Sequence, residues 1–345
     1  MPTDPSTPPV DAILLVSFGG PEGPDDVLPF LENVTRGKPV PRERLLAVAE
    51  HYQHFGGKSP INDHCRALIA ALRVELDAHG VSLPIYWGNR NWHPLLPDTL
   101  RAMRADGVQR ALAVFTSAFS SYSGCRQYQE NVAAAQAEVG EGAPVVDKVR
   151  PFYNHPGFLG AVVERTREAL ATLNDDERGR AHLLFTAHSI PTAMAATCAY
   201  EAQLVSAAGM VARALDAASH EVVYQSRSGP PQVPWLEPDV CDHLEALAAR
   251  GVGPVVVVPI GFLSDHVEVL WDLDEEARLA AERLGVRFVR AATVGTHPLF
   301  VSALRELIQE GLGQATPRVL GDAPALPARC PPGCCAYAPQ RPARL

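Results

Sequence analysis

Val255-Val-Val-Val-Pro-Ile-Gly-Phe-Leu-Ser-Asp-His-Val-Glu-Val-Leu-Trp-Asp-Leu-Asp-Glu-Glu276 changes its period once along its length. Val255 to Ile260 is an unbroken apolar, β-branched run, as in a strand buried on both faces. Beyond Gly261 the pattern becomes helical. Glu268, Asp272 and either Glu275 or Glu276 are three or four residues apart, which places them in one row on one face. Like charges at that spacing repel by about 0.2–0.5 kcal/mol per pair. A hard or borderline cation would compensate them. A plainer reading stands beside this one: Asp265-His-Val-Glu268 fits a capping box, and acidic residues suit a first helical turn.

The chain has 345 residues, enough for two domains, and its 47% hydrophobic content can supply a normal core. A net charge of -9 argues against general nucleic-acid binding. No apolar run reaches transmembrane length, and Met1 to Pro9 lacks the basic and apolar regions of a signal peptide. A cytoplasmic protein is expected. The seven cysteines are an odd count, which speaks against a disulfide framework in that setting.

Outward from the opening stretch, strands alternate with helices. Residues 1–10 read as a disordered Pro-rich leader. Ala12-Ile-Leu-Leu-Val16 is a strand that ends in Ser17-Phe-Gly-Gly-Pro-Glu-Gly23, and further strands are read at 84–88, 110–116 and 144–149. The loop after the first strand lacks both the dinucleotide fingerprint and the phosphate-loop lysine, so it gives no support for a nucleotide. In Phe55-Gly-Gly-Lys-Ser-Pro-Ile61 the paired glycines permit close approach to a ligand, and Ser59 is placed to cap the helix from Pro60. Ser117 to Gly124 is rich in hydroxyls that suit carboxylates or a phosphate. The second half repeats the scheme, with strands at 182–187, 221–226, 255–260 and 287–290. His188 follows the first of these, where α/β folds present functional groups. The expected fold is α/β, with two Rossmann-like domains at 11–155 and 156–313, parallel sheets flanked by helices, and a cleft between them. A tail over 314–345 carries Cys330, Cys334 and Cys335.

Six motifs, in order over about residues 11–312, resemble the ferrochelatases: Ser17-Phe-Gly-Gly-Pro, Phe55-Gly-Gly-Lys-Ser-Pro-Ile, Thr186-Ala-His-Ser-Ile-Pro, Tyr224-Gln-Ser, Pro234-Trp-Leu-Glu-Pro-Asp and Gly261-Phe-Leu-Ser-Asp-His-Val-Glu-Val-Leu-Trp-Asp. The similarity is greatest to the actinobacterial coproporphyrin ferrochelatases of haem synthesis. It implies a chelatase-type fold and the insertion of Fe²⁺ into a porphyrin with loss of two pyrrole protons. It implies that His188 and Glu268 face each other across the macrocycle. An imidazole suits proton removal or iron delivery, and a carboxylate suits the partner role. Asp272 and Glu276 then serve an outer metal or proton path, which gives the acidic row a function alongside any cap from Asp265. The resemblance further implies porphyrin binding by Ser59 and Tyr122, with Tyr52, Thr35 and Arg36 as additional donors to propionates. Phe18 stands beneath the macrocycle where some relatives carry a ligating tyrosine, and His51 stands where some carry arginine.

The tail cysteines resemble the ligands of a [2Fe–2S] cluster, which needs four ligands. Cys330, Cys334 and Cys335 supply three, and Cys198 or Cys125 supplies the fourth. The resemblance also implies passing contact with other haem-pathway enzymes. Three alternatives stand beside coproporphyrin III as substrate: protoporphyrin IX, an iron–sulfur sensor, and a porphyrin carrier without turnover.

Overall fold

Among the described residues eight strands form, the central ones on apolar runs, and they sort into two parallel sheets of the same order. The computed structural model describes residues 8–337. In the first sheet β1 (Ala12–Ser17) lies between β2 (Ile85–Asn89) and β3 (Arg110–Phe115), with β4 (Val145–Lys148) at the edge. In the second, β5 (His182–His188) lies between β6 (Ser219–Gln225) and β7 (Val255–Val258), with β8 (Phe288–Arg290) at the edge. Every pairing is parallel, so helices must cover both faces.

The alternation of side chains shows how they do so. Ile13 and Leu15 enter one core cluster while Ala12, Leu14 and Val16 enter another. The first cluster is shared between the sheets, because Leu183, Phe185, Val256 and Val258 belong to it as well. Helices Ile61–Ala78, Pro156–Leu170, Tyr200–Ala214 and Pro298–Gly311 fill this common layer. The last of them packs back toward the first sheet: a Cβ on Gly311 would meet the Leu112 side chain at 2.5 Å. A buried bidentate pair, Arg150 to Glu310 at 2.7 and 3.1 Å, fixes that crossing. Gln203 adds a second polar tie by accepting from Ser120 N–H (2.8 Å) and donating to Ser120 Oγ (3.1 Å).

Several local expectations need correction. The run 255–260 pairs only to Val258, because Pro259 has no N–H for the ladder. Ser59 does not cap the helix beginning at Ile61, whose N-cap is Pro60 with no side-chain cap bond. Gly57 sits at φ +75, and a Cβ there would lie 2.4 Å from Pro24 Cα, so the close approach is to the chain itself. Of the expected leader, residues 1–7 lie outside the described residues. Pro8 is not loose: its carbonyl accepts from Arg110 Nη1 at 2.9 Å, and Val10 packs on the core. The tail also docks, with Leu320 N–H bonded to Asn154 O at 2.8 Å and Cys335 buried. No helix among the described residues is long and apolar enough to cross a membrane.

Candidate active site

In a doubly wound sheet, ligands bind outside the carboxyl ends of the strands at the point where strand order reverses. In the second sheet that point lies between β5 and β7. His188 is the last residue of β5, and the chain leaving β7 passes beside it. Gly261 permits the passage: its N–H bonds Thr186 O at 3.0 Å, and a Cβ there would lie 2.6 Å from Ala187 Cβ. This route delivers Glu268, in the short helix Val267–Val269, to His188.

His188 Nε2 lies 3.8 Å from Glu268 Oε2. The ring is oriented by Nδ1–H, which donates to Ser189 O at 2.5 Å, and Tyr200 holds the backbone by donating to His188 O at 3.0 Å. The Nδ1 bond fixes the ring so that Nε2 faces the carboxylate. The expectation that the two groups face each other across a macrocycle does not fit this spacing. A flat ring with contacts of about 3.5 Å on each side needs roughly 7 Å between them.

After Val269 the helix widens into a π-helix, Leu270–Ala277. Asp272 Oδ2 accepts from Ser226 Oγ and, at 3.2 Å, from Gln225 Nε2. Burial first, and then the charges of Glu268 and Glu276, push its pKa up to about 7, against the opposing hydrogen bonds. The row is therefore Glu268, Asp272 and Glu276. Glu275 leaves it to face His54 Nε2 at 3.3 Å and Arg278 Nη2 at 3.4 Å. Glu276 accepts from Trp271 Nε1 at 2.9 Å, and Trp271 stacks on His51 with ring centroids 3.8 Å apart. His51 thus contributes a stacking surface at this edge of the cleft.

Asp265 does not complete a capping box. The helix N-cap is His266, with no side-chain cap bond. Asp265 instead pairs with Arg290 at 3.2 and 3.4 Å, and the same guanidinium holds Asp274 at 2.6 and 2.9 Å. A bidentate ion pair outcompetes a single backbone donor for the carboxylate.

The opposite wall comes from the first half. Phe30, Tyr52 and Val267 pack in one cluster with Phe18 and Trp92 at its margin. Tyr52 is buried beside Glu268: burial, and then that carboxylate's charge, raise its pKa far above the phenol range. Phe18 meets Phe30 edge-on at 6.3 Å, beneath the Arg90 guanidinium. Ser59 is buried, with its N–H on Pro21 O at 2.8 Å. Tyr122 opens the π-helix Tyr122–Arg126 and donates to Glu130 Oε2 at 2.9 Å. Thr35 spends its hydroxyl on Leu31 O at 2.7 Å, and Arg36 is exposed on the same turn.

The tail reaches this region. Gln129 Nε2 bridges Cys125 Sγ at 3.7 Å and Cys330 Sγ at 3.8 Å, and the sulfurs of Cys334 and Cys335 are 3.7 Å apart. Cys198 donates to Met194 O at 3.4 Å and Ala195 O at 3.5 Å. Lys148 is buried, and its Nζ has no hydrogen-bond partner. Tyr337 packs on Tyr122 with ring centroids 5.8 Å apart. Arg290, Trp271, His54, Gln203 and Lys148 were not singled out from sequence. Only the His51/His54 spacing, three apart on helix Arg42–His54, offered a local signal.

A model of the Ferrochelatase family matches residues 10–312. The chain belongs to the ferrochelatase family. It is 56% identical to the Ferrochelatase of Rhodopirellula baltica, over 97% of this chain and 96% of that one. It is 52% identical to the Coproporphyrin III ferrochelatase of Nocardia farcinica (96% and 97% covered) and 51% identical to that of Streptomyces coelicolor (97% and 96%). Among solved structures it resembles the sirohydrochlorin chelatase SirB from Bacillus subtilis subspecies spizizenii in complex with cobalt. That likeness has a TM-score of 0.51 at 13% identity and covers 88% of this chain and 98% of SirB, so it shows the fold. Membership makes the protein an enzyme whose metal substrate is Fe²⁺.

Asp272 makes a signed prediction. Its pKa is about 7 in the fold and about 3.9 in an unfolded chain. The folded state therefore holds the extra proton between those values, and stability falls as pH rises across that window. Asp272→Asn removes the loss. Thermal melts are expected to show a small gain in Tm near pH 4 that grows and levels off above about pH 7. A gain independent of pH would contradict the assignment.

Proposed function

We propose that this ferrochelatase inserts Fe²⁺ into coproporphyrin III, giving Fe-coproporphyrin III and two protons. The observation that carries the reading is the His188–Glu268 pair, oriented through Ser189 O at the end of β5 and backed by the Glu268–Asp272–Glu276 row. The macrocycle lies against the pair, with Phe18 toward its other face and the lobes 11–155 and 156–313 as walls. Phenylalanine cannot ligate iron, so ligation and proton transfer fall to the His188 side.

Deprotonating a pyrrole requires a base within hydrogen-bond reach. Nε2 of His188 and the Glu268 carboxylate are the acceptors, and an imidazole with a carboxylate also suits Fe²⁺ as it sheds water. Asp272, titrating near neutral, accepts and releases protons at physiological pH, and Glu276 passes them to solvent. Tyr122 serves the porphyrin edge, the buried Ser59 and Tyr52 shape the wall behind it, and Thr35 and Arg36 serve a propionate that reaches the outer turn. Relatives named for coproporphyrin III support the substrate. In steady-state assays His188→Ala and Glu268→Gln are each expected to cut iron insertion at least 100-fold, while tryptophan quenching still reports porphyrin binding. Turnover within threefold of the parent in either variant would remove that residue from the chemistry.

We also infer that Cys125, Cys330, Cys334 and Cys335 hold a [2Fe–2S] cluster. Four thiols are the right donor set, and the buried, unpaired Lys148 ammonium calls for nearby anionic sulfur. Such a cluster supplies a one-electron couple. The residues themselves fasten the tail over Cys125 and Tyr122. Protein purified without oxygen is expected to show cluster absorbance that Cys125→Ser abolishes and Cys198→Ser leaves in place. The reverse pattern would transfer the fourth ligand to Cys198, and a colourless parent with intact tail would reject the cluster.

A further inference from the structure

At the end of β5 remote from His188, three ligand-type side chains converge. His182 opens β5, and its register partner on β6 is Ser219, two residues before Glu221. Side chains two apart on a strand share a face. Helix Val240–Ala249 covers that face and brings in His243. One ligand atom from each of His182, Glu221 and His243 lies within 4.8 Å of the other two. His182 Nε2 is 3.2 Å from Glu221 Oε2, and His243 Nε2 meets the same oxygen. We propose that these three residues form a binding site for a divalent transition-metal ion, distinct from the iron-insertion site.

The alternative is a carboxylate held between two imidazole donors, and one observation tells against it. The His182 side chain is only 6% exposed, yet its Nε2 has no hydrogen-bond partner. The Glu221 oxygen at 3.2 Å is the nearest acceptor and does not complete a hydrogen bond with it. A buried polar atom left unbonded costs about 1–3 kcal/mol, and an ion beside the oxygen satisfies it. The spacing agrees. Tetrahedral zinc with bonds of about 2.0–2.1 Å sets neighbouring ligand atoms about 3.3–3.4 Å apart, close to the 3.2 Å found. His182 Nδ1 lies 2.7 Å from Ser219 Oγ, which can accept its N–H. Ligating histidines commonly donate their second N–H in this way, which fixes the ring.

Two imidazoles and one carboxylate suit Zn²⁺, and also Fe²⁺, Co²⁺ or Ni²⁺. The side chains of Glu221 and His243 are 39% and 15% exposed, which gives an ion an entry path and an open position for water. Arg250 Nη2 stands 3.8 Å from the Glu221 carboxylate as a competing cation, but its side chain is 55% exposed and can turn into solvent. Six residues of strand, about 20 Å, separate His182 from His188. The ion would therefore tie β5 and β6 to helix Val240–Ala249 without touching the catalytic pair.

Zinc alone is the probe. Equilibrium dialysis of the full chain, compared with His243→Ala and Glu221→Gln, isolates this site, because zinc at the catalytic pair or the cysteines is common to all three proteins. The parent is expected to hold one more equivalent than either variant. Ser219→Ala should weaken that equivalent by about 10–100-fold. Iron insertion by His243→Ala should match the parent. Circular dichroism establishes that both variants are folded, and their altered side chains are partly exposed. Equal zinc stoichiometry in the parent and a folded variant would overturn the proposal.

Discussion

The site depends on one guanidinium. Arg290, on the last strand of the second sheet, holds Asp265 and Asp274 together, and Glu268 and Asp272 lie on the chain between them. Six carboxylates fall between positions 265 and 276, and left to themselves they would repel. Each has a partner. Arg290 takes two, Arg278 and His54 take Glu275, Trp271 takes Glu276, and Ser226 with Gln225 takes Asp272. Glu268 is left facing His188. Removing one member of a half-buried ion-pair network strands the others in low dielectric, so the clamp also protects the geometry of the His188–Glu268 pair.

The second constraint is the layer that the two sheets share. A cleft between independently packed lobes would open freely. Here the helices between the sheets belong to one apolar cluster, and Arg150–Glu310 and Gln203–Ser120 lock it with buried polar bonds. Rigid walls suit a reaction that must hold a planar ring against fixed proton acceptors, since orientation supplies much of the rate. Adaptation is left to the rim, where the Trp271–His51 stack and the docked tail residue Tyr337 meet solvent.

Much of this was legible in sequence. The central strands β1, β3, β5 and β7 stand on largely apolar, buried runs, because a parallel sheet covered on both faces tolerates little else there, and the edge strands were legible from shorter apolar stretches. His188 and the acidic row were visible from their places after strands and from helical spacing. What escaped depends on distant partners. Asp265 reads as a cap because a capping box is local, whereas Arg290 lies 25 residues further on. Ser59 and Gly57 read as cap and ligand loop, but each packs on the turn at Pro21–Pro24. Glu275 and Glu276 are indistinguishable in an α-helix pattern, and the π-helix separates them. Cys125 and Cys198 are equivalent in sequence, and only docking of the tail brings Cys330 beside Cys125. Lys148, buried and alone, carries no sequence signal.

The choice of porphyrin is tested most directly by anaerobic Fe²⁺ insertion by the purified chain. Coproporphyrin III and protoporphyrin IX are run side by side and followed by loss of free-base absorbance. kcat/KM for coproporphyrin III is expected to exceed that for protoporphyrin IX by at least tenfold, about 1.4 kcal/mol of preference at the transition state. Equal or reversed values would contradict the coproporphyrin assignment while leaving the chelatase in place. Tight binding of both with no insertion of iron would contradict catalysis by the His188–Glu268 pair.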